Sequence, residues 1–338
     1  MLSCTLKLHT DAVEFSPSGS QALIGSYELN ESTRERSGSV ISYEISSNKA
    51  NKSSEIDLPG VLDLSWMSPD LCLVASSSGE IYTIQSQPSL PLTIHSINRA
   101  SEKLLLSIDF NSNKFLFDNL LSIVIRIVTS DAAGFMYLIN ASDNNVICKW
   151  KAHEYEPWCA RFSRNDDHLL LTGGDDCMAR VWDQRVGFAQ AVFDQKHEMG
   201  VCSLSGVPMH SHLISTGCFD EKLRLWDLRK TGSNKSEGLV VFHSEGGGVW
   251  RHKWSPNGHH VLMACMHAGF AVVRVTHFGT DGVLPIATAT FYRPTEKLAY
   301  GVDWQINSGS PEQFEALIGT CSFYDNCVSF ATYRDSTA

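Results

Sequence analysis

The sequence predicts an all-β fold, a seven-bladed β-propeller closed by an N-terminal strand in the last blade, and three observations predict it. Two segments align without a gap, HEYEPWCARFSRNDDHLLLTGGDDCMARVWD from residue 153 and HEMGVCSLSGVPMHSHLISTGCFDEKLRLWD from residue 197. Short alternating runs that end in an aromatic recur along the chain, as in DAVEFSPSG, LDLSWMSPD and RHKWSPNG, and alternation running into a Ser-Pro turn is what a strand and hairpin require. The last repeat has no room for a fourth strand, whereas SCTLKL (3–8) stands unassigned before the first.

The aligned pair carries the WD-repeat signature. His153 matches His197, Thr172 matches Thr216, Asp176 matches Asp220 and Trp182 matches Trp226. In such a blade the loop His, strand Thr, turn Asp and third-strand Trp satisfy one another's polar groups, so these eight residues are expected to be scaffold. Inner strands are expected at Phe15, Trp66, Phe110, Phe162, 201–205, Trp254 and Trp304, which fills the chain with seven units. Residues 3–8 then complete the last unit and remove an open sheet edge. Two insertions interrupt this single domain. Residues 28–39 are polar and read as an exposed hairpin; residues 111–127 are mostly apolar, which suits covering a neighbour, binding a partner or an aberrant addition.

Composition narrows the function. Of 338 residues, 43% are hydrophobic and 19% charged, which excludes a largely disordered chain. The net charge of −10 supplies no concentrated basic surface for nucleic acid. Ten cysteines without paired spacing point to a reducing compartment, the cytoplasm. The greasiest segment, 115–128, contains Asp118, Asn119 and Arg126 and is too short for a bilayer, and the first ten residues lack a signal-peptide core. A soluble monomer off the membrane is expected.

No G-x-S-x-G elbow, CxxC pair, HExxH, EF-hand loop or P-loop is present, so no cofactor and no metal are expected. Propeller topology gathers the loops between blades, and those between second and third strands, around one mouth of the central channel. These loops are rich in His and acidic residues. Blade six departs from the pattern: Ala268 stands where the turn Asp belongs and Arg274 at the Trp position, leaving His267 without a scaffold duty.

The runs KAHEYEPWCARF (151–162), LTGGDDCMARVWDQR (171–185), GGGVWRHKWSP (246–256) and MACMHAGF (263–270) resemble the diphthine methyl ester esterase family, WD-repeat proteins of diphthamide synthesis. The resemblance runs from about residue 146 to 304 and implies a hydrolase that removes a methyl ester from methylated diphthine on translation elongation factor 2, its protein partner. Ester hydrolysis needs a proton shuttle and support for the oxyanion. The chemistry nominates His267 as base, with His243 or His197 in its place, and Asp175 or Glu245 to orient it. Gly246, Gly247 and Gly248, or Arg251, would support the oxyanion. Trp250, Tyr300, Glu156 and Glu198 would bind a substrate that carries a quaternary ammonium. Covalent catalysis through Cys265 or Cys159 is the second route, and a metal-assisted one has no ligand spacing behind it. The other class is a non-catalytic scaffold or adaptor in a protein complex, the commoner use of this fold.

Overall fold

The computed structural model describes the backbone of residues 2–46, 49–117, 120–230, 238–276, 286–293, 297–310 and 313–336. Seven four-stranded antiparallel sheets stand in a ring, six of them running from an inner to an outer strand in chain order and the seventh taking its outer strand from the N-terminus. The inner strands are His9–Phe15, Val61–Trp66, Leu105–Phe117, Cys159–Phe162, Val201–Gly206, Arg251–Trp254 and Ala299–Ser310. All seven fall where the repeated aromatics and the 201–205 run placed them.

The seventh blade is completed by Leu2–Thr5, which pairs antiparallel with Cys327–Ser336. The closing strand is shorter than residues 3–8. Asn326 accounts for the difference: its carbonyl takes the Leu6 N–H at 2.8 Å and its side-chain amide donates to the Leu6 carbonyl, so the chain leaves the sheet there and turns into blade one.

Apolar side chains on the two faces of each sheet pack against the neighbouring blades. Trp66, Leu64 and Val74 of blade two meet Leu23 and Val40 of blade one, and Trp254 and Val261 of blade six meet Leu223 and Leu225 of blade five. Removing this surface from water is the main stabilising term. Carboxylates then clip the inner strands together. Asp63 accepts the Ile108 N–H at 2.9 Å, Asp109 the Phe162 N–H at 2.9 Å and Asp303 the Phe15 N–H at 2.6 Å, each joining one blade to the next.

Blade four carries the full polar tetrad. Trp182 Nε1–H donates to Thr172 Oγ1 at 2.9 Å, Thr172 meets His153 Nε2 at 2.8 Å, and His153 Nδ1 meets Asp176 at 2.8 Å. Blade five repeats the Trp226–Thr216–His197 part, but Asp220 turns to the Arg224 guanidinium at 2.9 and 2.6 Å. The reason is local: His197 Nδ1–H donates to the Gln195 carbonyl instead.

Of the two insertions, the polar one is a hairpin between Gln21–Leu29 and Arg36–Ser46, with an exposed tip at 30–35 where Asn30 Oδ1 accepts the Ser32 N–H. The paired ladder runs out to Leu29↔Arg36, and burial resumes at Gly38 and Ser39, the latter bonded to Ser26. The apolar one lengthens two paired strands of blade three, in register from Ser107↔Ser130 to Phe117↔Leu120. Its side chains from 112 to 124, and residues 118–119 altogether, lie outside the described residues.

Candidate active site at the mouth of the channel

The inner strands enclose a cavity of about 300 Å³, at the small end of ligand sites. Its wall is polar at one register in six blades, and an acid holds the same register in the seventh. The residue before the closing aromatic, or before its equivalent Gly206, is Glu14, Ser65, Asp109, Arg161, Ser205, Lys253 or Asp303. Strand alternation turns this position to the channel while the aromatic turns into the blade.

Charges here are paired across the bore. Asp63 of blade two holds Arg161 of blade four at 2.9 Å and Arg251 of blade six at 3.0 Å. Burial works against its ionisation, but the two guanidinium groups hold its carboxyl below the usual range. Lys253 bonds to Glu14 and lies 3.0 Å from Asp303, and Arg164 lies 2.8 Å from Asp109. Burial, partly offset by Lys253, pushes Glu14 up to about 7.

Asp11 differs from these acids. It lines the cavity near the start of its strand, is 6% exposed, and takes no ion pair or hydrogen bond from the described residues. Burial pushes its carboxyl up to about 7, against the pull of Arg251 and with the repulsion of Asp63. Arg251, Tyr27 and Tyr300 feel its charge, and Trp158 and Trp250 line the same cavity. Trp158 is fixed by donating Nε1–H to Asp175 at 2.7 Å. A carboxyl titrating near neutrality beside a guanidinium can move a proton and stabilise a developing oxyanion in one place.

Among the residues nominated from sequence, Trp250, Arg251, Tyr300 and Cys159 line this cavity, and burial pushes the Cys159 thiol up. Asp175 touches it through Trp158, and its pKa is raised by burial despite that bond. His267 is exposed in the turn after His260–Ala264, and no described group bonds its ring. His243 ends an outer strand, half-exposed, 3.2 Å from Glu221. Glu245 is exposed, Glu198 pairs with Lys222 at 3.2 Å, and the Glu156 backbone carbonyl accepts the Asp175 N–H.

Cys265 is 1% exposed inside the blade five–six core, where burial pushes its thiol up to about 12, a poor setting for a nucleophile. The glycine run is required by close approach. A Cβ on Gly247 would lie 2.1 Å from the Cys265 carbonyl oxygen and one on Gly248 2.8 Å from Phe219 Cα, while the Gly246 N–H already donates to Glu221. No group of three or more metal-ligating side chains occurs among the described residues. No helix there is long and apolar enough to cross a membrane.

Sequence reasoning missed Asp11, Tyr27, Trp158 and the channel charges other than Arg251. The polar residue before each closing aromatic was a readable signal for the channel wall. A second was the aromatic just ahead of an inner strand in both blade four and blade six, Trp158 and Trp250.

Fold and cavity together define a WD-repeat propeller with a ligand-sized channel, and the WD domain, G-beta repeat family matches residues 141–183 and 190–227. A chain from a crystal structure of a mitotic checkpoint complex superposes with a TM-score of 0.70, covering 99% of this chain and 94% of that one, at 14% identity, a likeness of fold. Diphthine methyltransferase of Schizosaccharomyces pombe is 30% identical over 316 residues, 90% of this chain and 89% of that protein. The mouse diphthine methyltransferase is 31% identical over 270 residues, 73% of this chain; the match spans 54% of the mouse protein, about half its length. The chain belongs to the diphthine methyltransferase family.

Proposed function

We propose that this propeller hydrolyses the methyl ester of methylated diphthine on elongation factor 2, with the chemistry at the channel mouth. The observation that carries the reading is Asp11, a buried carboxyl titrating near 7 beside Arg251 in an open cavity. Asp11 takes a proton from water as the water oxygen bonds to the ester carbonyl carbon. Arg251 stabilises the oxyanion, and collapse expels methoxide, which recovers the proton from Asp11 and leaves as methanol. The relatives' name speaks of methyl transfer, whereas this reaction needs water alone.

The test is methanol release from methylated elongation factor 2, with no methyl donor present. Asp11→Asn is expected to remain folded and to lose at least about a hundredfold in rate, with His267→Ala close to wild type. Full activity in Asp11→Asn together with loss in His267→Ala would move the base to the exposed turn. Methyl incorporation from a donor, without methanol, would overturn hydrolysis.

A second reading, an adaptor in a protein complex, is favoured by exposed Tyr155, Met199 and Phe219 on blades four and five. Under it, Asp11→Asn leaves partner binding intact and alanines at those three positions abolish it.

A further inference from the structure

Five aromatic rings run in contact along one side of the mouth, tilted against one another except where Tyr300 stacks on Phe323. Trp158 and Trp250 lie 5.2 Å apart, Trp250 and Tyr300 4.9 Å, Tyr300 and Phe323 4.9 Å, and Phe323 and Tyr27 5.1 Å. They come from blades four, six, seven and one, so no local packing of one sheet assembles them. Four of them, all except Phe323, form cavity wall without filling it.

The charge in this wall is specific. Arg161, Arg251, Lys253 and Arg164 each lie within 3.0 Å of a carboxylate. Asp11 is the acid of the described wall without an ion pair, and its charge acts on the hydroxyls of Tyr27 and Tyr300. Ring faces are electron-rich and attract cations. A primary ammonium demands several hydrogen-bond acceptors, which an indole cannot supply. A quaternary ammonium has no N–H to satisfy and needs ring faces plus a nearby negative charge, which is what Trp158, Trp250, Tyr300 and Asp11 provide.

We propose that this aromatic arc is a subsite for a quaternary ammonium group and sets which substrates the channel accepts. The inference deepens the esterase reading and rests on it for the identity of the molecule that carries the cation. Binding itself can be measured without any ester.

The full chain is titrated with choline, and with 3,3-dimethylbutan-1-ol as its uncharged isostere, following tryptophan fluorescence. Saturable binding of choline, at least about tenfold tighter than the alcohol, is expected, weakened by about tenfold or more in Trp250→Ala and largely kept in Trp250→Phe. Equal response to both probes, or none to choline, overturns the subsite. In the methanol assay, Trp250→Ala is expected to raise KM for the trimethylated substrate and to erase its advantage over the dimethylamino analogue. Choline binding without methanol release would sink the esterase reading and leave the subsite standing. Methanol release with unaltered discrimination in both Trp250→Ala and Trp158→Leu would do the reverse.

Discussion

Blades five and six stand side by side with the same strand pairing, yet they aim their polar side chains in opposite directions. Blade five keeps His197, Thr216 and Trp226 hydrogen-bonded inside its own sheet. Blade six has lost that arrangement and reaches outward. His252 lies 2.7 Å from Ser203 and 2.8 Å from Ser215 of blade five, and Trp254 Nε1–H donates to the same Ser215. Buried without an opposing charge, His252 is pushed down to about 3 and stays neutral. Arg274, at the vacated Trp position, faces Asp335 of blade seven at 3.8 Å. A blade can therefore exchange its internal network for hydrogen bonds to its neighbours, although Arg274 Nε and His260 Nδ1 stay buried without a partner among the described groups, and its inner strand then delivers Arg251 and Lys253 to the channel.

The largest effect that would sharpen this contrast is in blade six. Arg251→Gln is expected to lower methanol release by about 10²–10³-fold, while Asp63 keeps Arg161 and the fold persists. An unchanged rate in folded protein would remove Arg251 from the chemistry.

Next comes pH. Wild-type kcat/KM is expected to rise with pH through about 7 as Asp11 ionises, with Arg251 and Asp63 as the charges that face it. Stability runs the other way. The folded pKa lies above the ordinary carboxylate value, so the stability from protonated Asp11 is complete below about 4 and lost as pH rises through about 7. Asp11→Asn should therefore melt progressively higher than wild type between pH 4 and pH 8; a constant offset would break the assignment.

A smaller effect belongs to the intact tetrad of blade four. Asp176→Ala is expected to cost about 1–3 kcal/mol in denaturant unfolding and to leave turnover per folded molecule unchanged, because it strands His153 and Arg180. Folded but inactive protein would place Asp176 in the site. The same carboxyl sits well below its ordinary range, burial being outweighed by His153 and Arg180, so acid should weaken blade four as these pairs protonate.

Smallest of all, Cys265→Ala should retain wild-type methanol release, since the thiol lies in core; loss of activity would restore the covalent route.

The fold was legible because each blade repeats its own constraints. An aromatic must cover the sheet where the inner strand ends, and a buried His–Thr–Trp chain tolerates few replacements, so Phe162 and Trp182 announce themselves. The site was less so. Sequence reasoning ranked loop histidines by their chemistry, and His267 and His243 were attractive on that ground, but radial position decides what a loop residue can reach. Asp11 looks like an ordinary acid near the start of a strand. Its importance comes from Tyr27, Tyr300 and Arg251 arriving from elsewhere in the chain, and from the absence of a described hydrogen bond to it, neither of which spacing reveals.

The Asp63 carboxylate, gripping blade four on one side and blade six on the other, acts like the hub of a spoked wheel. Widening the ring would stretch both grips in a poorly hydrated interior, where separating opposite charges is costly. The bore is thereby held to one diameter. Admission through the mouth then has to come from the guest's shape and from side-chain rotations at the rim, so crosslinking neighbouring blades on the outside should leave uptake of a small cation unslowed.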